Sequence, residues 1–311
     1  GSKEYDLYLY VDENATISTA SKTFNAGVAV KSYDREIIGL EMCNTGQNLS
    51  ECIISAADLG SDVSKIYYHD STLTNGAGDN SYRYAGPSNS VNNYICLGSE
   101  ETACPDANLF RIIGVFGVKT KVISAKSVGR QKWHTSADNT WSSSSLNTYL
   151  NGTYLTSLGT IAEKIATTTW KVGGNTWSNI GTSVPKTAYQ YEVGSSALTT
   201  TVDKKIGLMY VTDYYYSASP SAWTLVGYNS SDATKDYRAA TSINWLYLGS
   251  YEWTISRRAD GSDFAFGVFV DGGVGDNSVG SNFAVRPSFN LLSSTTYVSG
   301  SGSMSDPVRI N

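Results

Sequence analysis

Residues 244–257 read NWLYLGSYEWTISR, and residues 284–291 read AVRPSFNL. The segment between them is punctuated by Gly and Asp, and short apolar runs in it alternate with glycine-rich turns. Such alternation is typical of short strands joined by tight turns. We therefore expect the last third of the chain to be mostly β-sheet.

Upstream of this stretch, the sequence predicts strands with a few helices. Two β-branched runs flank Gly114 to Gly117 within residues 109–122, which predicts a hairpin. Residues 145–151 and 154–166 place apolar side chains at helical spacing, and the run KIGLMYVT at 205–212 predicts a buried strand. The expected fold class is α+β, mostly β.

The N-terminal part of the chain differs in composition from the rest. Residues 5–11 and 24–30 alternate apolar and polar positions, which predicts two strands, and a stretch rich in Gly, Asn, Ser and Cys follows. We expect a short β-rich N-terminal segment at 1–64 and a ligand-binding domain at 65–311. The segment is interpreted either as part of a stalk or truncated module, or as an extension packed onto the main domain. The Gly1-Ser2 start resembles what tag removal leaves, so an export signal or anchor is expected upstream.

The composition favours an extracellular protein over a nucleic-acid binder. Only 16% of the 311 residues are charged, and the formal net charge is −5, so the basic surface that phosphate binding requires is missing. Apolar runs in the sequence are far shorter than the roughly 20 residues of a membrane span. We expect an extracellular or cell-surface location, no nucleic-acid partner, and no membrane contact by this part of the protein.

The four cysteines form two close pairs, Cys43 with Cys52 and Cys96 with Cys104. Neither pair has the C-x-x-C spacing of a zinc or redox site. Local disulfides in an oxidising compartment are expected. Four cysteines allow three connectivities, and reduced buried thiols are the alternative.

The sequence offers little material for catalysis. His69 and His134 are the only histidines, and both are interpreted as structural hydrogen-bonding residues. The glycines at 272–275 do not complete a dinucleotide-binding motif, and the chain has no P-loop and no G-x-S-x-G element. We expect no catalytic residues.

Two carboxylate pairs, Asp260 with Asp263 and Asp271 with Asp276, have oxygen ligands of the kind that calcium prefers. Neither matches an EF-hand loop, and aspartates are common in turns for local reasons. The expectation is therefore no metal and no cofactor, with calcium as the alternative.

An aromatic group made of Tyr214, Tyr215, Tyr216, Trp223 and Tyr228 has two equal interpretations. Tyrosine rings give a large contact area to a sugar or a peptide. The same rings would equally fill a core.

The order of NWLYLGSYEWTISR, a glycine-rich middle, VRPSFNL and the terminal SGSGSMSDPVRI at 299–310 resembles bacterial surface proteins with a C-type-lectin-like fold. These proteins are related to the formylglycine-generating-enzyme type, and the similarity covers roughly residues 65–311. Several of them are targets of diversity-generating retroelements, in which a reverse transcriptase copies a template repeat and randomises its adenines. The resemblance also implies a pilin-like stalk or anchor upstream.

The window at 254–291 fits this resemblance, because it contains no Lys, Glu, Gln, Met or Trp. Every residue type in it is reachable from an Asn codon or belongs to the apparent framework. The resemblance implies a framework of Trp245, Trp253, Arg286 and Pro287. It implies variable ligand-binding positions at Arg258, Asp260, Asp263, Phe264, Phe266, Val268, Asp276, Ser278, Gly280, Ser281 and Phe283.

The phenylalanines among these positions have two interpretations. Exposed Phe and Val side chains would anchor a ligand. Alternatively, Phe264, Phe266 and Phe269 alternate along a strand, and some of them point into the core.

The resemblance does not extend to the chemistry of the wider superfamily. The formylglycine-forming enzymes need an active-site cysteine pair, whereas this chain has no cysteine after Cys104. The E-P-N, Q-P-D and W-N-D motifs of calcium-dependent sugar-binding lectins are also missing from the sequence.

The expected function is a surface-displayed or secreted binding protein, similar to an adhesin or receptor, and not an enzyme. Its ligand would be a protein or other macromolecule on another cell or a phage. The alternatives are a structural subunit of a pilus or surface assembly without a variable face, and an enzyme related to the formylglycine-generating type.

Overall fold

The computed structural model describes residues 39–226 and 243–311. The strands expected at 5–11 and 24–30, and also Tyr228, lie outside the described residues. The fold class is α+β with more strand than helix, as predicted.

Most strands are short, and the longest belong to the central hairpin. In chain order they are β1 (Ile66–His69), β2 (Ser81–Tyr84), β3 (Tyr94–Cys96), β4 (Leu109–Phe116), β5 (Lys119–Ser124), β6 (Arg130–Lys132), β7 (Thr168–Lys171), β8 (Thr201–Lys204), β9 (Ile206–Gly207), β10 (Glu252–Arg257), β11 (Phe264–Val268), β12 (Val274–Ser278), β13 (Asn282–Ala284), β14 (Ser288–Asn290), β15 (Tyr297–Ser299) and β16 (Val308–Ile310).

The helices are also short. They are α1 (Leu49–Ala57), α2 (Ser61–Ser64), α3 (Ser145–Tyr149), α4 (Leu155–Ser157), α5 (Trp177–Ile180), α6 (Pro185–Glu192) and α7 (Val211–Tyr216). A π-helical turn at Leu150–Tyr154 joins α3 to α4, and 3-10 turns lie at Asp106–Asn108, Trp141–Ser143, Gly159–Glu163 and Pro220–Thr224.

The strands of the described residues form three sheets. The largest has the order β15-β16-β3-β4-β5-β14-β9. Strand β2 also pairs with β4, and β1 pairs with β2. The second sheet has the order β12-β11-β10-β13-β6, and β7 pairs with β8 alone. Most pairs are antiparallel, while β16 with β3 and β10 with β13 are parallel.

The predicted hairpin is confirmed as β4 and β5. Its turn contains Gly117, whose φ of 61° lies in the left-handed region that favours glycine. Gly114 lies inside β4 instead, where a Cβ atom would come within 2.1 Å of the carbonyl oxygen of Tyr82. Glycine at this position therefore lets β2 approach β4.

Helix α1 was not predicted from the sequence, although its apolar residues have helical spacing. Leu49, Cys52, Ile53 and Ala56 are all buried in the main core. Asn48 caps the helix by accepting a hydrogen bond from the Ser50 amide at 3.0 Å. The described residues belong to one compact unit that includes residues 39–64.

The helices expected at 145–151 and 154–166 are confirmed in outline. They form a nearly continuous stretch from α3 to α4 through the π-helical turn, and the end of the second helix is a 3-10 turn. The buried strand expected at 205–212 is wrong for most of its length. Only Ile206–Gly207 is a strand, and Val211 already begins α7, because an apolar run does not distinguish a buried strand from a buried helix.

The local disulfides are confirmed, and they join Cys43 to Cys52 and Cys96 to Cys104. The first bond connects α1 to the chain before it. The second connects the end of β3 to the segment before β4. No helix in the described ranges is long and apolar enough to span a bilayer.

Candidate ligand-binding face

Two segments that are separate in sequence form the candidate ligand-binding surface. Strands β11 and β12 pair so that Phe264 lies opposite Ser278 and Phe266 lies opposite Asp276. This register places the loop at 258–264 beside the segment at 276–281. Backbone hydrogen bonds extend the pairing beyond the strands, since the Val279 amide donates to the Asp263 carbonyl at 2.8 Å.

Eight of the expected variable positions keep exposed or half-exposed surface there. We call them the candidate face, and they are Arg258, Asp260, Asp263, Phe264, Asp276, Ser278, Gly280 and Ser281.

Arg258 is the centre of the candidate face. Its Nε lies 2.9 Å from Asp260 Oδ1 and its Nη1 lies 2.8 Å from Asp276 Oδ2, so one guanidinium connects both segments. The guanidinium also lies 5.8 Å from the centre of the Phe264 ring. The hydrogen bond from Arg258 lowers the pKa of Asp260, and the two carboxylates raise the pKa of Arg258. Arg258 and Asp260 are therefore both charged at neutral pH.

Asn139 holds the loop at 258–264 from below. Its side chain is buried, and its Nδ2 lies 2.8, 2.6 and 2.8 Å from the carbonyl oxygens of Arg258, Gly261 and Phe264. Arg257 Nη1 donates in turn to Asn139 Oδ1 at 3.1 Å. These contacts hold the loop backbone in place.

Helix α5 supports the same loop from its other side. The Trp177 amide donates to Asp260 Oδ1 at 3.2 Å, and the Ala259 amide donates to the Asn175 carbonyl at 2.8 Å. The Trp177 ring stacks on Phe266 with 5.9 Å between ring centres. The candidate face therefore rests on packed aromatic rings and backbone hydrogen bonds.

Three of the expected variable positions belong to the core, which corrects the expectation that they contact a ligand. Phe266 is 0% exposed, Val268 is 1% exposed and Phe283 is 5% exposed. Phe266 packs on Trp177, and Phe283 stacks on Trp253 with 4.2 Å between ring centres. Period-two alternation places Phe264, Phe266 and Val268 on one face of β11, and the core covers that face beyond Phe264.

The residues expected as framework are buried. Arg286 makes two hydrogen bonds to Glu252, of 2.7 and 2.8 Å, and this pair lies inside the protein. Trp253 donates from its indole nitrogen to the Gln131 carbonyl, and Trp245 donates to the Tyr84 carbonyl. Glu252, Asn139 and Trp177 also support this part of the protein, but the sequence did not predict a role for them. Glu252, a charged residue directly before Trp253, was a usable signal, whereas a lone Asn or Trp gives none.

The aromatic run is core, so the ligand-presenting interpretation is wrong for its described members. Tyr214, Tyr215, Tyr216 and Trp223 are at most 1% exposed. The hydroxyls of Tyr214 and Tyr215 donate to the carbonyls of Gly272 and Ile180 at 2.6 and 3.2 Å. These rings pack beneath the surface and present no face to a ligand.

Both histidines lie in structural surroundings. His69 is fully buried and its Nδ1 accepts from the Ala77 amide at 3.1 Å, and burial lowers its pKa to about 3. His134 Nδ1 accepts from the amides of Ser136 and Ser145 at 3.4 Å. Neither ring faces a nucleophilic side chain within hydrogen-bonding distance in the described ranges.

The carboxylate pairs have local partners. Asp260 and Asp276 bind Arg258, and Asp271 accepts from the Gly273 amide at 3.1 Å, as turn-forming aspartates do. Within 39–226 and 243–311, no group of three or more His, Cys, Asp or Glu side chains is arranged to hold a metal ion.

The protein is an α+β domain whose candidate face lies on two paired strands and the loops at their ends. Residues 118–293 match the family described as "Domain of unknown function (DUF6273)", which is more than half of the chain. The chain belongs to this family. No curated protein and no solved structure matches it. The matched region extends from β5 to β14 and includes the whole candidate face.

Proposed function

We propose that this protein is a secreted or surface-displayed binding protein whose candidate face holds a protein or other macromolecule on another cell or a phage. The observation that carries the proposal is the contiguity of the face. Positions from 258–264 and from 276–281 lie side by side through the β11 and β12 register and the Arg258 bridge to Asp260 and Asp276.

The candidate face combines the elements of a protein-recognition surface. The half-exposed Phe264 ring supplies an apolar anchor, and Arg258 beside it is a residue type that is frequent at binding hot spots. Serines and aspartates surround them as a polar rim. Because Asn139 and α5 hold the loop backbone, little ordering entropy is lost when a ligand binds.

The same construction supports diversification of the face by a retroelement, on a C-type-lectin-like fold. Substitutions at exposed loop positions cost little stability, commonly within about 0.5 kcal/mol. The buried Phe266, Val268 and Phe283 would then belong to the constant scaffold together with Trp253 and Arg286.

The location proposed for this protein is extracellular. Disulfides form and persist in oxidising compartments, and both cysteine pairs of this chain are joined. A face for ligands on other cells requires such a location.

The proposal is tested by binding of the fluorescently labelled protein to a panel of bacterial cells and phages. The face variant is Arg258→Ala with Phe264→Ala, and the matched control is Val118→Ala with Leu198→Ala, which alters exposed apolar residues elsewhere. We expect saturable binding to at least one member of the panel, at least a tenfold loss in the face variant, and no loss in the control. Equal binding by the face variant, or no saturable binding to any member, would count against the proposal and favour a structural subunit.

A further inference from the structure

A pocket of about 230 Å³ lies on one side of the largest sheet, away from the candidate face. Its floor comes from a row of residues in register across four strands: Arg83 on β2, Gly114 on β4, Lys121 on β5 and Asn290 on β14. Residues in such a row project to the same side of a sheet. Gly114 contributes no side chain, so the two cations and the asparagine form the polar part of the floor.

Aromatic rings form the sides of the pocket. They are Phe116 at the end of β4, Trp170 on β7, Tyr189 on α6 and Tyr210 before α7. The Lys121 ammonium lies 5.5 Å from the centre of the Phe116 ring, 5.4 Å from that of Trp170 and 4.6 Å from that of Tyr210. A ligand that reaches this ammonium must therefore pack between rings.

The two floor cations are deeply buried and only partly paired. Lys121 Nζ lies 2.5 Å from Asp213 Oδ2, and Arg83 Nη2 lies 2.6 Å from Asp79 Oδ2. The side chains of Arg83 and Lys121 are 3% and 6% exposed. Burial lowers the pKa of Lys121, and the carboxylate of Asp213 offsets only part of this effect.

Several donors of these cations lack an acceptor. An ammonium has three N–H groups, and in the described part of the chain Lys121 donates only to Asp213. Arg83 Nη1 lies 3.7 Å from Asp213 Oδ1, beyond hydrogen-bonding distance, and makes no hydrogen bond there. Among the described residues that line the pocket, only Asp79 and Asp213 carry carboxylates, and both are already bound by these cations.

Lys171 is the third cation of the lining, and two of the three N–H groups of its ammonium have acceptors. It donates to the carbonyls of Val193 and Gly194 at 2.7 and 3.2 Å. Glu192 lies behind the wall and accepts from the amides of Val211 and Thr212 at 2.9 and 2.8 Å, and burial raises its pKa. Most of the pocket's donors that lack an acceptor therefore belong to Arg83 and Lys121.

We propose that this pocket binds a small aromatic carboxylate. The carboxylate would accept hydrogen bonds from Lys121 and Arg83, and the ring would pack among Phe116, Trp170, Tyr189 and Tyr210. Charge-assisted hydrogen bonds of this kind are about twice as strong as neutral ones. The volume is below the roughly 300–1,000 Å³ of sites for drug-sized molecules, so a small molecule such as benzoate is the matching probe.

The pocket shares no lining residue with the candidate face, so the two proposals stand or fall separately. The first test is calorimetric titration of the whole protein at pH 7 with benzoate, benzamide and benzylamine. We expect saturable 1:1 binding of benzoate, with benzamide and benzylamine at least tenfold weaker. No benzoate binding, or equal binding of benzamide, would overturn the proposal.

Variants of the lining residues test whether benzoate binds in this pocket. Lys121→Met with Asp213→Asn removes the buried ion pair without leaving one charge alone, and we expect at least a tenfold loss of benzoate affinity. The matched control is Lys126→Met with Asp106→Asn, which makes the same changes at an exposed ion pair and leaves affinity unchanged. If the near-ultraviolet circular dichroism shows that the first variant is unfolded, Phe116→Ala tests the same site from its half-exposed wall. Wild-type affinity in whichever of these two variants is folded would overturn the proposal.

Discussion

At the scale of single residues, neighbouring positions on one strand differ sharply in what they do. Phe264 begins β11 and is half-exposed beside Arg258, whereas Phe266 is 0% exposed and stacks on Trp177. The alternation of a strand was readable from the sequence, but the point where the core stops covering it was not. That point depends on Trp177, which is distant in sequence and carries no local signal.

We therefore predict that two alanine substitutions lower the free energy of unfolding by very different amounts. Phe266→Ala should lower the free energy of unfolding by about 3–5 kcal/mol, because it removes a buried ring and leaves a cavity. Phe264→Ala should lower it by less than about 1 kcal/mol. Urea unfolding of both variants measures this, and equal losses would contradict the division between core and face.

His69 makes stability depend on pH. Its pKa is about 3 in the folded protein because burial disfavours the charged ring, and 6.5 is the ordinary value expected in the unfolded chain. Between these values the unfolded state binds more protons, so the stability supplied by neutral His69 is complete above pH 6.5 and is lost as pH falls towards 3. The loss reaches up to about 1.4 kcal/mol per pH unit.

The substitution His69→Asn keeps an oxygen acceptor for the Ala77 amide and removes the titrating ring. We expect the variant to show a shallower fall of stability between pH 6.5 and 4.5 than the wild type, measured by urea unfolding at each pH. Parallel pH profiles for the two proteins would show that His69 does not control this dependence.

Among the elements, the loop at 258–264 receives three of its supporting hydrogen bonds from one buried amide, that of Asn139. Asn139→Ala removes the hydrogen bonds to Arg258, Gly261 and Phe264 and leaves their carbonyls without this donor. We expect faster hydrogen exchange across the loop, including the Arg258 amide that donates to the Phe264 carbonyl. Thr140→Ala, an exposed neighbour, is the control. Unchanged exchange in the Asn139 variant would mean that α5 alone holds the loop.

The disulfides stabilise elements that lie early in the described chain. Replacing Cys43 and Cys52 by alanine opens a loop with a sequence separation of 9 next to α1. By the loop-entropy relation we expect a loss of about 2–3 kcal/mol in unfolding free energy, with a similar loss for the Cys96 and Cys104 pair. Chemical unfolding of the two double variants checks this. If either double variant unfolds at the same denaturant concentration as the wild type, that disulfide does not stabilise the protein.

The sequence predicted some helices and strands correctly and others not. The β4 and β5 hairpin and the α3 region followed from local patterns that tertiary contacts left intact. Helix α1 was missed although its apolar spacing is helical, because the surrounding Gly, Asn and Ser made the whole stretch look like a loop. The run at 205–212 was assigned to a strand because burial on all sides removes the periodicity that would separate strand from helix.

At the scale of the whole molecule, the chain joins a large sheet to a smaller one that carries the candidate face. The α+β class and both disulfides were predictable, since the class depends on the local spacing of apolar residues and the disulfides join cysteines that are close in sequence. The segments 258–264 and 276–281 lie side by side only because of the register in which β11 pairs with β12. The pocket likewise depends on a row of residues that comes from four strands. Neither arrangement leaves a local sequence signal.

We propose that the exposed positions of the candidate face vary in sequence while the buried positions beneath them do not. Sequencing this gene from many cells of its source population, together with any nearby template copy, tests it directly. We predict substitutions at adenines in the codons of the candidate face, with Phe266, Val268 and Phe283 constant or restricted to apolar residues of similar size. A window at 254–291 as constant as the rest of the gene would contradict the account and favour a fixed adhesin or a structural subunit.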